Sequence, residues 1–215
     1  MSTCWNCGRV TEPQPAIPEQ NGRPLFCPAC NALQPPPADY YALFGLPARL
    51  AISPDELQQS FYALSRALHP DRFGRKSERE RQYSLEASSV LNDAWRTLRN
   101  PLARAEYILK QHGFDIGEQR SNNVPPELLE EVFELNMAIE EVRGGDESAR
   151  PQLEAARAKF LAMLGDVDRE LDALFRAWDE TQRRDELAAI RALLNRRKYV
   201  QNLVSEVDAL LPPLA

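Results

Sequence analysis

The sequence predicts a mainly α-helical protein that carries a small cysteine-based metal-binding module at its N-terminus. All four cysteines fall within the first 34 residues, as two C-x2-C pairs. Apolar residues at helical spacing, with cap and stop signals, follow from residue 38 onward. No strand-like alternation of apolar and polar residues follows residue 35. We therefore expect a cysteine module at 1–34, a helical domain at 38–113, a linker at 114–124 and a three-helix bundle at 125–215.

The composition excludes several classes of protein. Of the 215 residues, 43% are hydrophobic and 27% are charged, which is enough for a real core. The net charge of −6 disfavours a dedicated nucleic-acid-binding protein, whose footprint is usually basic. No apolar run approaches a membrane span, and the N-terminus resembles neither a secretory signal nor a mitochondrial transit peptide. We expect a protein of a reducing compartment that binds neither membrane nor nucleic acid.

The spacing of the cysteines is typical of a structural zinc site that protein ligands fill completely. Nineteen residues separate the two pairs, and each pair is expected to form a knuckle that points two thiolates at one ion. Gly8 and Asn31 follow the knuckles and tolerate the positive φ of such turns. The predicted ligands of one zinc ion are Cys4, Cys7, Cys27 and Cys30.

The sequence leaves open both the metal and the role of the module. Iron in the same geometry and a pair of disulfides are the alternatives to zinc. The module could serve as a stability clip, as a docking or redox-sensing element, or as a zinc ribbon for nucleic acid. Residues 1–34 hold only two basic residues against two acidic ones, which disfavours the ribbon. Pro35-Pro36-Pro37 is expected to be a stiff spacer that ends the module.

The helical domain begins with a short helix in Asp39–Pro47 that stops at Gly45. A second helix is predicted to begin after Ser53, the N-cap, with Pro54 at the first helical position and Glu56 completing a capping box. Its apolar face ends at a proline turn, because proline disfavours helical geometry in the residue before it. The residues of that face are Leu57, Phe61, Leu64 and Leu68, and the turn is His69-Pro70-Asp71.

A third helix is predicted from about Ser77 to Arg99, after a polar loop at 74–78. Two amphipathic helices joined by a short loop pack as an antiparallel hairpin, which places the His-Pro-Asp turn at its tip. Asn100-Pro101 breaks the third helix. A fourth helix is expected from Leu102 to Gln111, with Gly113 as its C-cap.

The C-terminal region reads as three long amphipathic helices joined by short turns, which predicts a bundle. The expected helices run from about Pro126 to Arg143, from about Glu147 to Thr181 with Gly165 as a weak point, and from about Asp185 to Leu211. The first of them has two apolar stripes. One is a core seam of Leu128, Val132, Leu135, Ile139 and Val142; the other is Leu129, Phe133 and Met137.

The second stripe has two interpretations. It packs internally under the preceding domain, or it is an exposed patch that receives a partner. The same helix is strongly acidic, which suits a basic partner, although a solvated acidic face explains this equally well. The acidic residues are Glu127, Glu130, Glu131, Glu134, Glu140 and Glu141.

Several of these residues together resemble a known family. The capped helix before the His-Pro-Asp turn and the helix after it resemble a J-domain. Further matches resemble the HscB family, the J-domain co-chaperones of iron–sulfur cluster assembly, over about residues 38–215. The matching stretches are Asp39-Tyr40-Tyr41, Gly45-Leu46, His69-Pro70-Asp71-Arg72-Phe73, Asn92-Asp93-Ala94-Trp95 and Arg104-Ala105-Glu106-Tyr107.

The resemblance implies two protein partners and no catalytic residue in this chain. The J-domain is expected to bind a DnaK/HscA-type chaperone ATPase and to stimulate it through His69, Pro70, Asp71, Arg66, Arg72 and Lys76. The bundle is expected to bind an IscU-type scaffold through Leu129, Phe133, Glu134, Met137 and Tyr199. Glu130 and Met137 depart from the family pattern, which has an apolar residue at the first of these positions and an acidic one at the second. The implied compartment is the bacterial cytoplasm, or the mitochondrial matrix for a mature eukaryotic form.

Two other functions compete with this one. The same J-domain residues also fit a general J-domain co-chaperone for protein folding. An enzyme that uses His69 as a base is disfavoured, because no nucleophile motif accompanies it and His112 lies at a helix end. Between residues 66 and 81 there are six basic and three acidic residues, a surplus that would steer an acidic partner surface.

Overall fold

The computed structural model describes residues 2–11, 25–115 and 128–211, and it confirms the mainly helical fold class. The chain divides into two compact units, Met1–Ile108 and Leu109–Ala215. The division falls within the fourth helix. Most of the predicted linker and the predicted helix start at Pro126 lie outside the described residues. None of the described helices is long and apolar enough to cross a membrane.

The first unit begins with the cysteine module. Strands β1 (Ser2–Thr3) and β2 (Val10–Thr11) pair antiparallel and bracket the first cysteine pair. A single antiparallel bridge between Phe26 and Leu33 brackets the second pair. Each C-x2-C pair therefore sits at the tip of a small β-hairpin, which is how a knuckle presents two thiols on one side.

Helices α1 (Tyr40–Phe44) and α2 (Pro54–Leu68) begin and end where their cap residues predict. The Asp39 side chain accepts the Ala42 N–H, and Gly45 closes α1 with a φ of 68°. At α2 the Ser53 hydroxyl oxygen accepts the Glu56 N–H, and Pro54 occupies the first turn. Between α2 and the polar loop expected at 74–78 lies a 3-10 turn, Pro70–Phe73, which the sequence did not predict.

Helix α3 (Glu78–Leu98) opens with a full capping box, in which Ser77 and Glu80 each bond the other's backbone N–H. Helix α4 (Pro101–Gln111) follows. Two contacts show that α2 and α3 are antiparallel. The Leu68 carbonyl at the end of α2 accepts the hydroxyl of Ser84 early in α3, whereas Phe61, earlier in α2, stacks on Trp95 late in α3 with ring centroids 4.8 Å apart. The predicted antiparallel hairpin is thus confirmed. The buried residues of its two helices are Leu57, Leu64, Leu68, Ala87, Leu91, Ala94 and Leu98.

The second unit contains α5 (Leu129–Arg143), α6 (Arg150–Thr181) and α7 (Arg184–Asp208). Ion pairs from Arg157 to Asp208 and from Arg197 to Asp168 show that α6 and α7 are antiparallel. A short 3-10 turn, Glu147–Ala149, precedes α6, and Gly165 does not interrupt it. The expectation that α7 reaches Leu211 is wrong, because the helix ends at Asp208.

Candidate functional site

The four cysteines converge on one point. All four sulfur atoms lie within 4.8 Å of one another, with Sγ–Sγ distances of 3.7 Å from Cys4 to Cys30 and 3.8 Å from Cys7 to Cys27. Sulfurs placed about 2.3 Å from a tetrahedral ion stand roughly 3.8 Å apart. A disulfide would bring two sulfurs to about 2.05 Å, and all four thiols are free. The cluster fits one tetrahedral metal ion and not two disulfides.

The two knuckles share one hydrogen-bond pattern. The Cys4 carbonyl accepts the Gly8 N–H, and the Cys27 carbonyl accepts the Asn31 N–H. In the other direction, the Cys4 N–H donates to the Arg9 carbonyl, and the Cys27 N–H donates to the Ala32 carbonyl. Gly8 and Asn31 have φ values of 71° and 55°, so the left-handed positions predicted from the sequence are confirmed. The backbone thus fixes the direction of each thiol pair.

The electrostatics of the cluster favour a bound cation. Burial acts to raise the pKa of Cys4, but N–H donors of Cys7 and Asn6 and neighbouring sulfurs outweigh it and lower the pKa to about 6. At Cys7 the Arg9 N–H lowers the pKa, whereas burial and the sulfurs of the other three cysteines raise it to about 11. The first thiolate therefore opposes formation of the others, because like charges at this distance repel. A cation removes that repulsion.

Hydrogen bonds from α3 hold the start of the His-Pro-Asp turn. The last carbonyls of a helix have no partner within it. The Leu68 carbonyl, at the end of α2, accepts the hydroxyls of Ser84 at 2.6 Å and Ser88 at 3.3 Å. On the other side of the turn, Phe73 is buried and the Arg72 N–H donates to the His69 carbonyl. The turn is thus held at both ends while its polar side chains face outward.

A hydrogen bond within the turn orients the His69 ring. Its Nδ1 atom accepts the Asp71 N–H at 3.3 Å and lies 3.5 Å from the Asp71 carboxylate, and in the neutral ring this hydrogen bond places the proton on Nε2. The side chains of His69 and Asp71 are 57% and 90% exposed. Side chains this exposed are accessible to the surface of another protein. The geometry suits contact with a protein surface better than proton transfer.

The basic residues around the turn are all exposed. Arg66 lies on the last turn of α2, Arg72 is in the 3-10 turn, and Lys76 lies in the loop before α3. Among the described residues, no ion pair engages Arg66, Arg72, Arg75 or Lys76. Their charges are therefore available to an incoming partner. Arg81, by contrast, pairs with Glu78.

Helix α5 separates its two apolar stripes as the sequence predicts. The seam of Leu128, Val132, Leu135 and Ile139 is buried, and Val142 packs against it. Leu129, Phe133 and Met137 are 56%, 66% and 50% exposed. These three side chains are therefore not part of the bundle core. Monomeric proteins rarely leave adjacent large apolar side chains in water without a partner.

A groove of about 540 Å³ runs beside this exposed stripe, between α5 and α6. Met137, Glu134 and Glu141 line its α5 side, and Ala155 and Ala156 leave room on the α6 side. One salt bridge, from Lys159 to Glu131, crosses it at 3.2 Å. The groove is thus acidic overall and adjoins two of the predicted scaffold-binding residues. The sequence did not indicate it, because it forms only when α6 packs on α5.

Tyr199 occupies a different environment from the α5 stripe. It lies on α7, is half-buried and packs against the bundle core. Burial, and then the nearby Glu206 carboxylate, raise the pKa of its hydroxyl. α5 packs chiefly against α6, so a surface shared by Tyr199 and Phe133 stays a prediction.

Several residues that support the sites were missed from the sequence. Ser84 and Ser88 fix the end of α2, and Phe26 and Trp5 join the cysteine module to α3 and the His-Pro-Asp turn. The two serines lie four apart on the buried side of α3, a position where a polar residue needs a partner. Two aromatic side chains in a module of so few apolar residues were a similar signal.

One family model and two curated proteins that match this chain all carry the name HscB. The family model for the HSCB C-terminal oligomerisation domain matches residues 124–208. The iron–sulfur cluster co-chaperone proteins HscB of Mus musculus and Homo sapiens are each 29% identical over 214 residues, covering 98% of this chain and 83% of theirs.

Two solved structures are similar as well. The crystal structure of human co-chaperone protein HscB superposes with a TM-score of 0.69 at 29% identity, over 99% of this chain and 100% of that chain. Chaperone HscB from Vibrio cholerae gives 0.55 at 30% identity, over 80% of this chain and 96% of that chain.

Proposed function

Because this chain belongs to the HscB family of iron–sulfur cluster co-chaperones, we propose that it couples a chaperone ATPase to a cluster scaffold. The J-domain stimulates ATP hydrolysis by a DnaK/HscA-type chaperone. The C-terminal bundle binds an IscU-type scaffold and delivers it to that chaperone. The chain itself performs no hydrolysis. Both partners belong to the bacterial cytoplasm or the mitochondrial matrix.

One observation carries the ATPase half of the proposal, namely the exposed His-Pro-Asp turn held rigidly at both ends. A contact that triggers another protein's chemistry must be presented in one geometry, or binding energy is lost in ordering it. The Leu68 carbonyl bonds from Ser84 and Ser88 supply that rigidity. The exposed basic residues beside the turn speed encounter with an acidic ATPase surface.

The scaffold half of the proposal is supported by the exposed stripe of α5. Leu129, Phe133 and Met137 form an apolar centre, and Glu134 lies within its edge. Apolar anchors surrounded by polar residues are the usual composition of a binding hot spot. The acidic groove next to the stripe favours a scaffold surface with basic side chains. Tyr199 is proposed as a further contact on α7.

The proposal is tested by ATP hydrolysis in single-turnover assays with a purified DnaK/HscA-type chaperone. We expect this chain to raise the rate, and the scaffold to raise it further. A denatured model polypeptide in place of the scaffold is expected to add nothing. Equal stimulation by that polypeptide would indicate a general folding co-chaperone, and no stimulation by the chain alone would overturn the proposal.

Zinc is the metal we propose for the four-cysteine cluster. Thiolates at these distances and in tetrahedral arrangement suit Zn²⁺, and all four positions come from protein, as in structural sites. The ion would supply folding energy to a module with few buried apolar side chains. Cys4, Cys7, Cys27 and Cys30 hold it and leave no open position for chemistry.

Elemental analysis of the purified protein is expected to find one zinc per chain, lost in Cys4→Ser. The substitution removes one of four ligands, and the other three cannot close the tetrahedron. Ser2→Ala, a change in the adjacent strand that removes no ligand, serves as control and should retain the metal. One iron per chain would correct the identity of the metal, and two disulfides without metal would refute the site.

A further inference from the structure

The cysteine module contacts the J-domain beside the His-Pro-Asp turn. Phe26 stacks on Phe73 with ring centroids 6.4 Å apart and planes inclined by 14°. Phe26 directly precedes Cys27 in the second knuckle, and Phe73 is the last residue of the 3-10 turn Pro70–Phe73. This aromatic pair therefore links the knuckle that contains Cys27 to the turn.

A second aromatic contact joins the first knuckle to α3. The Trp5 ring meets the Tyr83 ring edge-on at 6.2 Å, and the Arg79 guanidinium lies 5.2 Å from the centre of the Trp5 ring. Trp5 directly follows Cys4. Its Nε1 donates to the Leu33 carbonyl at 2.7 Å, which ties the first knuckle to the hairpin of the second. Each knuckle thus sends one aromatic side chain to the J-domain.

Phe73 transmits this packing to the exposed turn. It is only 4% exposed, and its carbonyl accepts the Lys76 N–H, while the next residue back, Arg72, donates to the His69 carbonyl. A shift of Phe73 therefore moves the backbone that carries His69 and Asp71. The side chains of His69 and Asp71 are themselves largely in solvent and add little restraint.

The metal ligands determine where Phe26 and Trp5 lie. In the described part of the module the buried apolar side chains are few: Leu25, Ala32 and Leu33, besides the thiols of Cys4 and Cys27. A module of this size does not fold on such a core alone, so the ligand set fixes the relative position of its two hairpins. Without that restraint the two aromatic contacts are no longer held together.

We propose that the metal-loaded cysteine module holds the His69-Pro70-Asp71 turn in its active geometry, with Phe26 and Trp5 as the positioning residues. Loss of the metal then loosens the turn and weakens the chaperone-ATPase response. The module is in this way part of the J-domain's working surface and not only a stability clip. The ATPase consequence rests on the proposed function, whereas the structural link stands on the contacts described above.

The structural link is tested by hydrogen exchange of the full-length protein, which requires no partner. Backbone amides of residues 71–76 are followed in the wild type, in Phe26→Ala and in wild type stripped of metal by a chelator. Losing one aromatic contact should speed their exchange roughly two- to tenfold, because the contact stabilises the closed backbone of the turn. Amides of α5, α6 and α7 serve as an internal reference and should not change.

Val10→Ala is the matched control, because Val10 is an exposed apolar residue of the same module. It should keep wild-type exchange, and Phe26→Leu should restore part of the protection lost in Phe26→Ala. Metal content is measured in every variant. Should Phe26→Ala lose its metal, Tyr83→Ala breaks the second contact from the J-domain side, away from the ligands, and is expected to speed exchange in the same residues.

Unchanged exchange at residues 71–76 after metal removal would overturn the inference, as would equal exchange in Tyr83→Ala and the wild type. The ATPase assay separates this from the proposed function. If wild type stimulates the chaperone and Phe26→Ala does so equally, the inference fails and the proposed function stands. If wild type does not stimulate, the proposed function fails, and hydrogen exchange still decides the structural link.

Discussion

Replacing His69 with Gln is expected to abolish stimulation of the chaperone ATPase while leaving the fold and scaffold binding intact. The His69 Nδ1 atom accepts the Asp71 N–H, and the ring is largely exposed to an incoming partner. A Gln side chain is longer, flexible and unable to reproduce that presentation. Because the His69 side chain is 57% exposed, its loss costs little folding energy. Single-turnover ATP hydrolysis, circular dichroism and scaffold affinity give the three readouts.

His112→Gln is the natural control for this experiment, since His112 is the other of the two histidines in the chain. Its ring meets Trp178 edge-on within the second unit, and His112 is not a residue of the J-domain hairpin. This variant should stimulate the ATPase as the wild type does. Full stimulation by His69→Gln would contradict the role proposed for the turn, and a changed circular dichroism spectrum would show that His69 is structural instead.

Replacing Leu129 and Phe133 together with Ala is expected to weaken scaffold binding by about 2–4 kcal/mol, the range for buried interface anchors. This corresponds to a dissociation constant roughly 30- to 700-fold higher. Both side chains are more than half exposed in the free protein, so their removal opens no cavity in the core. Isothermal titration of the scaffold measures the affinity, and urea denaturation measures the stability, which should change little.

Leu161→Ala supplies the comparison for this variant, because Leu161 is an exposed leucine on α6 outside the stripe. Its scaffold affinity should remain that of the wild type. A contrasting change, Leu135→Ala, removes a seam residue and should cost about 2–5 kcal/mol of stability. Wild-type affinity in the Leu129 and Phe133 double variant would mean that the scaffold binds elsewhere.

Local signals made much of the fold predictable. Caps such as Ser53 and Gly45, and the proline turn at Pro70, fix helix ends through interactions within a few residues, so the sequence carries them directly. The four cysteines were predictable for the same reason, since each knuckle is a short turn with its own hydrogen bonds. The helix-period separation of the α5 stripes was equally local, and burial bears it out.

Contacts between distant segments were not predictable in this way. The Phe26–Phe73 and Trp5–Tyr83 pairs join residues 47 and 78 positions apart, and no local pattern encodes which aromatic side chains meet. The groove between α5 and α6 depends on the same kind of packing. The end of α7 was placed too late, because Leu210 and Leu211 continue the apolar pattern and pack against the core without being helical.

The central claim is that one chain presents the ATPase-triggering turn and the scaffold-binding surface together. The most direct measurement mixes two full-length variants, His69→Gln and the Leu129→Ala, Phe133→Ala double variant, in the ATPase assay with scaffold. Covalent linkage raises the effective concentration of the second partner to roughly millimolar, which separate chains at micromolar concentration cannot match. The account predicts that the mixture stays well below the wild-type rate with scaffold. Full recovery of that rate by the mixture would contradict it.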